Sequence, residues 1–410
     1  TKGAPMNRLV QGDVGSGKTM VAAAAAYCAA RNGCQTALMA PTEILAEQHY
    51  ASLSTLFASL GISVALLTGS MAQKEKKAVR EGLQEGTIQI AVGTHALISD
   101  STVFQNLGLV ITDEQHRFGV GQRSKLSAKG ADPHLLVMSA TPIPRTLALL
   151  MYGDLDVSVL DQLPPGRQVV DTFLVGESYR ARINAFIRKQ VAEGHQCFVV
   201  CPAVEENGEL GIKAATAWAD TLQQTVFPDL RIALLHGQMR GEEKEAAMAA
   251  FARQEADVLV ATTVIEVGVD VPNATLMVIE DADRFGMSQL HQLRGRVGRG
   301  SSKSYCILTT HNRNEDTLRR LKALCKTTDG FRIAEEDLRL RGPGDFFGSR
   351  QSGLPAFRMA DLSFDLGLLK QAQEASAQWI DSSGTAHTPE ADALRQRVSQ
   401  LFQRSEGTMN

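Results

Sequence analysis

Short apolar runs alternate with longer stretches of helical periodicity over most of the chain. Lys18–Arg31 is rich in alanine and is followed by Gly33, a pattern that predicts a helix and its end. Strands joined through helices run parallel, so the alternation predicts a parallel sheet with helices on both faces. In the first part of the chain the apolar runs lie at Leu9–Gln11, Gln35–Ala40, Ser63–Leu67, Ile88–Val92, Leu109–Thr112 and Leu135–Ser139.

The alternation breaks between Asp154 and Asp171 and then resumes. Leu163–Arg167, with two prolines and a glycine, is typical of a turn or linker. Beyond residue 312 the pattern is mainly helical. We therefore predict two tandem α/β domains at 1–158 and 159–312, followed by a helical hairpin and C-terminal region at 313–410. The second series of strands is predicted at Asp171–Val175, Gln196–Pro202, Arg231–Leu235, Asp257–Thr262, Thr275–Glu280 and Ser304–Thr309.

Composition excludes several classes of protein. The chain has 410 residues, which is too long for one ordinary core, and no run approaches the eighteen apolar residues of a membrane span. A net charge of −3 argues against a uniformly basic surface, although it permits a local basic groove. Six cysteines lack the spacing of zinc ligands, which indicates reduced thiols in a cytosolic protein. The chain begins at Thr1 without a signal pattern, and we expect it to be a piece of a longer protein.

The first strand leads into a phosphate-binding loop. The segment matches G-x-x-x-x-G-K-[ST] without a mismatch, and it lies between a predicted strand and a predicted helix, as the motif requires. Glycines let consecutive N–H groups face one anion, while Lys18 reaches the β- and γ-phosphates and the Thr19 hydroxyl binds Mg²⁺. A glycine-rich turn that binds nothing is the alternative. The nucleotide-binding residues are Gly12, Asp13, Val14, Gly15, Ser16, Gly17, Lys18 and Thr19.

An acidic pair follows a later strand of the same predicted sheet. Asp113 is expected to hold Mg²⁺, and Glu114 to accept a proton from the water that attacks the γ-phosphate. Further polar segments follow other strands, as at Thr42, Gly69 and Thr94. Each alone is a turn or cap, but together they indicate an edge that faces a phosphodiester chain. Ser139–Pro142 fits an N-cap as well as it fits this edge.

The second predicted domain has no phosphate loop, but it contains Gln292–Arg299, in which arginines alternate with glycines. Such a segment either supplies an arginine finger to a neighbouring site or forms a basic surface turn. Further on, Arg341–Gln351 combines arginines and glycines with Phe346 and Phe347. That region fits a nucleic-acid groove or a packed hairpin with solvated arginines.

These motifs, in this order, resemble the two RecA-like motor domains of superfamily-2 helicases and translocases, over residues 1 to about 310. Asp113–Val120, Ser288–Arg299 and the Arg341–Gln351 loop resemble the RecG family of branch-migration helicases and extend the match to about residue 360. The fold implied is α/β, with two tandem RecA-like P-loop NTPase domains.

The resemblance also implies roles for individual residues. Gln292, Arg296 and Arg299 would approach the γ-phosphate, with Arg299 as the finger, and Gly268 and Asp270 would touch both nucleotide and DNA. A helical hairpin at Ile333–Gln351 would convert closure of the two motor domains into movement of the DNA. The positions expected at DNA are Thr42, Gly69, Thr94, Gly237, Thr262, Arg341, Arg350 and Gln351.

The implied activity is an ATP- and Mg²⁺-dependent double-stranded DNA translocase that remodels stalled forks and Holliday junctions. Branched DNA would be its main partner, single-stranded DNA-binding protein a second one, and the bacterial cytoplasm and nucleoid its location, with the protein a monomer. Family members also carry an adenine-reading glutamine segment and an oligonucleotide-binding wedge, and we expect neither within this chain.

Two other functions remain open. A transcription-repair coupling translocase shares the motor and the hairpin, although Gln115 and the loop around Pro343 favour the RecG family. A nucleotide-switched clamp would bind DNA without moving along it. A small-molecule kinase would not explain the glycine-arginine segment of the second domain.

Overall fold

A computed structural model describes most of the chain. The described residues are 5–113, 125–139, 155–162, 169–202, 209–262, 271–300, 302–341 and 389–406, with a few positions between 368 and 379. The chain divides into two compact units. The first comprises 1–142 and 154–333 and contains both sheets, whereas the second comprises 143–153 and 334–410.

The first sheet has seven described strands, and all of its pairings are parallel. Their order across the sheet is β3-β4-β2-β5-β6-β1-β7. The central strands are apolar and buried, as expected for a sheet covered on both faces. The strands are β1 (Asn7–Gly12), β2 (Gln35–Met39), β3 (Val64–Leu67), β4 (Ile90–Gly93), β5 (Leu107–Thr112), β6 (His134–Ser139) and β7 (Asp156–Leu160).

Three helices of the described region pack on this sheet: α1 (Lys18–Arg31), α2 (Glu43–Ala58) and α3 (Gln73–Gln84). Helix α2 begins where the Thr42 hydroxyl accepts a hydrogen bond from Leu45 N. Its buried residues recur with helical spacing and pack into a core with α1 and the strands. This packing holds the helices at fixed positions behind the carboxyl ends of the strands.

The second sheet has six described strands, again all parallel. Their order is β10-β11-β9-β12-β13-β8. If the strands of each sheet are numbered from its own first strand, both sheets have the order 3-4-2-5-6-1, and the first adds β7 beside β1. The strands are β8 (Val170–Val175), β9 (Gln196–Val200), β10 (Ile232–Leu235), β11 (Val258–Ala261), β12 (Ala274–Ile279) and β13 (Ser304–Thr309).

Helices cover the second sheet as they cover the first. The core on one face contains Phe198 and Phe251, whose rings are 5.0 Å apart, and Phe227 is buried in the core on the other face. The two faces are therefore filled by separate apolar clusters. The helices that follow α3 along the described chain are α4 (Arg180–Ala192), α5 (Glu209–Thr221), α6 (Gly241–Ala252), α7 (Met287–Arg294), α8 (Glu315–Lys326), α9 (Gly330–Arg341) and α10 (Pro389–Glu406).

The prediction of two parallel-sheet α/β domains followed by helices is confirmed. One strand was missed: β7, Asp156–Leu160, lies in the interval that the sequence indicated as a break. It is a partly exposed edge strand that pairs only with β1 among the described strands, so its polar residues weaken the apolar signal. The domain boundary stays a prediction, because the proposed linker Leu163–Arg167 lies outside the described residues.

All six cysteines fall in the described part of the chain, and they are free thiols. Burial raises the pKa of Cys201 and of Cys306 to about 12, so both stay protonated at neutral pH. Within the described residues, no helix is long and apolar enough to cross a membrane.

Candidate nucleotide and nucleic-acid sites

Strand order divides the carboxyl edge of the first sheet into two halves. The phosphate loop follows β1 and Asp113 follows β5, so these two candidates lie on the β5-β6-β1 side. The candidate DNA positions Thr42, Gly69 and Thr94 follow β2, β3 and β4, which are adjacent strands on the other side. We call these the nucleotide half and the DNA half. Neighbouring strands are about 4.8 Å apart, so each half is a compact row of groups.

The phosphate loop has the geometry of an anion site. It joins Gly12, the last residue of β1, to Lys18, the first residue of α1. Gly15 and Gly17 have φ angles of 76° and 92°, which only glycine adopts without strain. The Lys18 ammonium donates to the carbonyl oxygens of Gly12 and Asp13, each at 2.8 Å, so it lies over the loop at the helix N-terminus.

Asp113 directly follows the central strand β5 and is largely buried. Its main-chain N–H donates to Met39 O at 3.0 Å, and its Oδ2 accepts from His49 Nε2 at 2.9 Å. No cluster of three or more His, Cys, Asp or Glu side chains suited to a metal occurs among the residues that the structure describes. Mg²⁺ is usually held by one or two protein groups together with phosphates and water, so the pair Thr19 and Asp113 fits it.

The glycine-arginine segment follows β12 of the second sheet. Gln292 and Arg294 lie on α7, and Arg296 follows it; the three residues are 7%, 3% and 5% exposed. Arg299 is less buried, and its Nε donates to Gly295 O at 3.2 Å. Burial of this degree excludes the alternative of a solvated basic turn for most of the segment.

This segment lies against the phosphate loop. His291 Nε2 is 2.6 Å from Asp13 Oδ1, and the two side chains are 4% and 18% exposed. Gly295 also lies close to Val14: a Cβ at Gly295 would be 3.2 Å from Val14 Cβ, closer than most such contacts. The first compact unit therefore brings the nucleotide half of one sheet together with the glycine-arginine segment of the other.

A chain of hydrogen bonds continues from His291 into the second domain. Arg294 donates to His291 Nδ1 at 2.8 Å and also to Leu324 O and Thr327 O, at the C-terminal end of α8. Arginine only donates, so Nδ1 is the acceptor and the proton of the neutral ring is on Nε2, facing Asp13. Burial lowers the pKa of Arg294 from its ordinary value. Apart from the position of His291 one residue before Gln292, this hydrogen-bond chain has no signal in the sequence.

The DNA half of the first sheet has a counterpart in the second. Gly237 follows the edge strand β10, and Thr262 follows its neighbour β11. Thr94 N donates to Leu67 O, and Thr262 N donates in the same way to Leu235 O. Both threonines are buried, at 6% and 2% exposed.

The match extends to the loops after the edge strands. Lys76 Nζ donates to Gly69 O, and Lys244 Nζ donates to Gly237 O. Met71 Sδ accepts from Thr68 N as Met239 Sδ accepts from His236 N, at 3.4 and 3.3 Å. The spacing G-x-M-x₄-K is the same in both loops, so the likeness is also visible in the sequence.

Several predicted residues lie outside the described region: Glu114, Gly268, Asp270, Arg350 and Gln351. Arg341 is the last residue of α9. The roles of these residues, and of the candidates above, stay predictions.

Three family models match successive parts of the chain. Residues 3–150 match the DEAD/DEAH box helicase family, and residues 179–301 match the helicase conserved C-terminal domain. Residues 327–406 match "ATP-dependent DNA helicase RecG, domain 3, C-terminal". The first two matches fall on the two sheets, which confirms the RecA-like interpretation.

Curated relatives match almost the whole chain. The ATP-dependent DNA helicase RecG of Synechocystis is 53% identical over 403 residues, covering 98% of this chain and 48% of the relative. The chain is homologous to the RecG helicases. RecG of Bacillus subtilis is 50% identical over 393 residues, covering 96% of this chain and 58% of its own length.

A solved structure of RecG bound to a three-way DNA junction has a TM-score of 0.74 and 48% identity to this chain. The similarity covers 89% of this chain and 48% of the RecG chain in that structure. The chain thus spans about half the length of the RecG proteins that it matches.

Proposed function

We propose that this chain is the ATP-driven motor of a DNA helicase that moves along duplex DNA and remodels branched DNA. The observation that carries the proposal is the contact of Asp13 with His291, at 2.6 Å. It places a glycine-arginine segment from the second sheet against the phosphate loop of the first. A nucleotide site completed by two domains can respond to their separation, which a site within one domain does not do.

In this proposal the nucleotide half holds ATP. The loop N–H groups and Lys18 bind the β- and γ-phosphates, and Thr19 and Asp113 hold Mg²⁺. Bound there, Mg²⁺ neutralises charge on the phosphates. Glu114 takes the proton of the attacking water, Arg299 stabilises the charge that develops on the γ-phosphate, and Gln292 and Arg296 complete the site.

The DNA halves of the two sheets then act as two surfaces that hold one duplex, here called grips. Both have threonine hydroxyls and glycines at adjacent strand ends, groups that suit phosphodiester contacts without base specificity. Closing and opening of the nucleotide site changes the distance between the grips, and alternate release produces movement. Gly268 and Asp270 would link nucleotide and DNA in this cycle, and Arg341, Arg350 and Gln351 would contact DNA.

Branched DNA is the substrate that the comparisons favour. The solved relative is described as RecG bound to a three-way DNA junction, and the curated relatives carry the name ATP-dependent DNA helicase RecG. We further infer that the protein acts as a monomer in the bacterial cytoplasm at the nucleoid, and that single-stranded DNA-binding protein is a second partner.

The test is ATP-dependent displacement of a strand from a three-way junction and of a third strand from a triplex, with the parent chain and a Glu114→Gln variant. We expect the parent to displace both, and the variant to bind ATP while losing about 10²- to 10⁴-fold in turnover. DNA-stimulated ATP hydrolysis without displacement of either strand would instead support the clamp hypothesis. Parental turnover in the variant would overturn the assignment of Glu114 as the base.

A further inference from the structure

One histidine lies among the apolar residues of the buried face of α2. His49 is 6% exposed and shares this face with Leu53 and Phe57, which are each 1% exposed. Its Nε2 lies 2.9 Å from Asp113 Oδ2, with side chains 8% and 12% exposed. A carboxylate only accepts hydrogen bonds. Nε2 therefore carries a proton and donates a hydrogen bond to Asp113.

This hydrogen bond crosses from the DNA half to the nucleotide half. Helix α2 follows β2, the last strand of the DNA half, and Asp113 follows β5, the first strand of the nucleotide half; β2 and β5 are direct neighbours. Asp113 N also donates to Met39 O, the last residue of β2. Both the main chain and the side chain of Asp113 are therefore held by the β2–α2 segment.

The N-terminal end of α2 carries candidate DNA contacts. Thr42 caps the helix, and the Glu43 carboxylate accepts from Ser70 N at 3.0 Å, which ties the first turn to the Gly69–Ser70 loop. From Thr42 to His49 the helix advances by about 10 Å, at 1.5 Å per residue. One packed helix thus joins two candidate DNA positions to the candidate magnesium carboxylate.

We propose that His49 is a positioning residue that orients Asp113 for Mg²⁺ and transmits the engagement of DNA to it. The inference rests on the proposed function, in which Asp113 serves Mg²⁺. Hydrogen bonds to a ligating carboxylate fix its orientation, and their loss typically lowers metal affinity by about 10- to 100-fold. A helix packed along its length moves as a unit, so a displacement of Thr42 and the Gly69–Ser70 loop carries His49 with it.

The alternative is a histidine that serves only the packing of the core. In that case its replacement lowers stability but leaves the Mg²⁺ dependence of nucleotide binding unchanged. A Mg²⁺ titration separates the positioning role from the packing role, because the Mg²⁺ midpoint depends on the orientation of the Asp113 carboxylate and not on the stability of the fold.

The experiment measures binding of a fluorescent, non-hydrolysable ATP analogue to the 410-residue chain as Mg²⁺ is added. It is run with and without a three-way junction of annealed oligonucleotides. We expect DNA to lower the Mg²⁺ midpoint of the parent. His49→Ala raises the midpoint by about 10-fold or more and removes the effect of DNA. His49→Gln restores both, because the Gln Nε2 can take the place of the ring Nε2.

Two controls lie on the same helix. Glu47→Ala changes an exposed residue of α2, and Leu53→Val weakens the packing of its buried face without touching Asp113. Neither should move the midpoint. A rise with Leu53→Val equal to that of His49→Ala, or no rise with His49→Ala, would overturn the positioning role. If the alanine variant does not fold, His49→Asn, which is too short to reach Asp113, takes its place.

Asp113→Asn separates this inference from the proposed function. If it leaves the midpoint unchanged, Asp113 is not the magnesium ligand and the proposed function fails at that residue. If Asp113→Asn raises the midpoint while His49→Ala does not, only the positioning role of His49 is overturned. If DNA does not change the Mg²⁺ midpoint of the parent, the transmission of DNA engagement to Asp113 is overturned. The positioning role is then decided by His49→Ala alone.

Discussion

The two sheets have the same order of six strands, and their DNA halves agree in detail, but their nucleotide halves differ. In both, a lysine on the helix after the edge strand donates to a glycine carbonyl, Lys76 to Gly69 and Lys244 to Gly237. In the first sheet, Lys18 begins α1 over a phosphate loop, and Asp113 follows β5. At the equivalent position of the second sheet, the described residues between β8 and α4 form a short helical turn, Glu177–Tyr179, in place of such a loop.

An ion pair occupies the equivalent position in the second sheet. Arg180 begins α4, the counterpart of α1, and Glu280 follows β12, the counterpart of β5. The guanidinium donates to both carboxylate oxygens of Glu280, at 2.5 and 2.8 Å, and this bidentate pairing raises the pKa of Arg180. In the second sheet the cation and the carboxylate at these strand ends therefore pair with each other. In the first sheet Lys18 and Asp113 are instead proposed to bind a nucleotide and a metal. One architecture thus supports two roles, because function depends on the residues at the strand ends.

The largest expected effect tests what the second sheet contributes. Arg299→Ala should lower the rate constant of ATP hydrolysis by about 10³-fold or more, as loss of an arginine finger does. Steady-state turnover with saturating DNA measures it, and binding of the ATP analogue serves as the control. Turnover at the parental rate would transfer the finger role to Arg296.

A second prediction tests the equivalent position in the second sheet. Glu280→Ala leaves Arg180 with one carboxylate fewer in a half-buried position, and we expect it to destabilise the protein by about 1–3 kcal/mol. Urea denaturation measures this change. Nucleotide affinity at the native state should stay at the parental value. A large loss of affinity would show that the second sheet also binds nucleotide, and the two sheets would then not differ in this role.

The contact between the sheets gives a smaller effect. His291→Ala removes the hydrogen bond to Asp13 and leaves Arg294 without its acceptor at Nδ1. We expect about a tenfold loss in DNA-stimulated turnover, equal to the ~1.4 kcal/mol of one charge-assisted hydrogen bond. The matched variant is Gln289→Ala on the same helix, where the side chain accepts a hydrogen bond from Gly286 N. Equal losses in both variants would assign the effect to α7 as a whole.

The smallest effect tests the likeness of the DNA halves. Lys76→Met and Lys244→Met each remove one hydrogen bond that holds a DNA-half loop, so each should weaken duplex binding by roughly three- to tenfold. Fluorescence anisotropy with a labelled duplex measures both. Similar losses would support two equivalent grips. A loss confined to one variant would show that the likeness of the two loops is structural only.

Much of the fold was accessible from the sequence because its signals are local. Apolar runs of strand length alternate with helical stretches, and that alternation dictates parallel sheets. The phosphate loop was equally clear, since its chemistry depends on eight consecutive residues, Gly12–Thr19, between a strand and a helix. The partly exposed strand β7 was missed because edge strands are only weakly apolar.

Periodicity and motifs along the chain thus predict two parallel α/β domains, a phosphate loop and the residue types of a candidate composite nucleotide site. Which side chains meet depends on the folded chain. His49 and Asp113 are 64 residues apart, and Asp13 and His291 are 278 residues apart. Strand order and domain packing set these contacts, and both depend on long-range pairing and side-chain packing that periodicity along the chain does not encode.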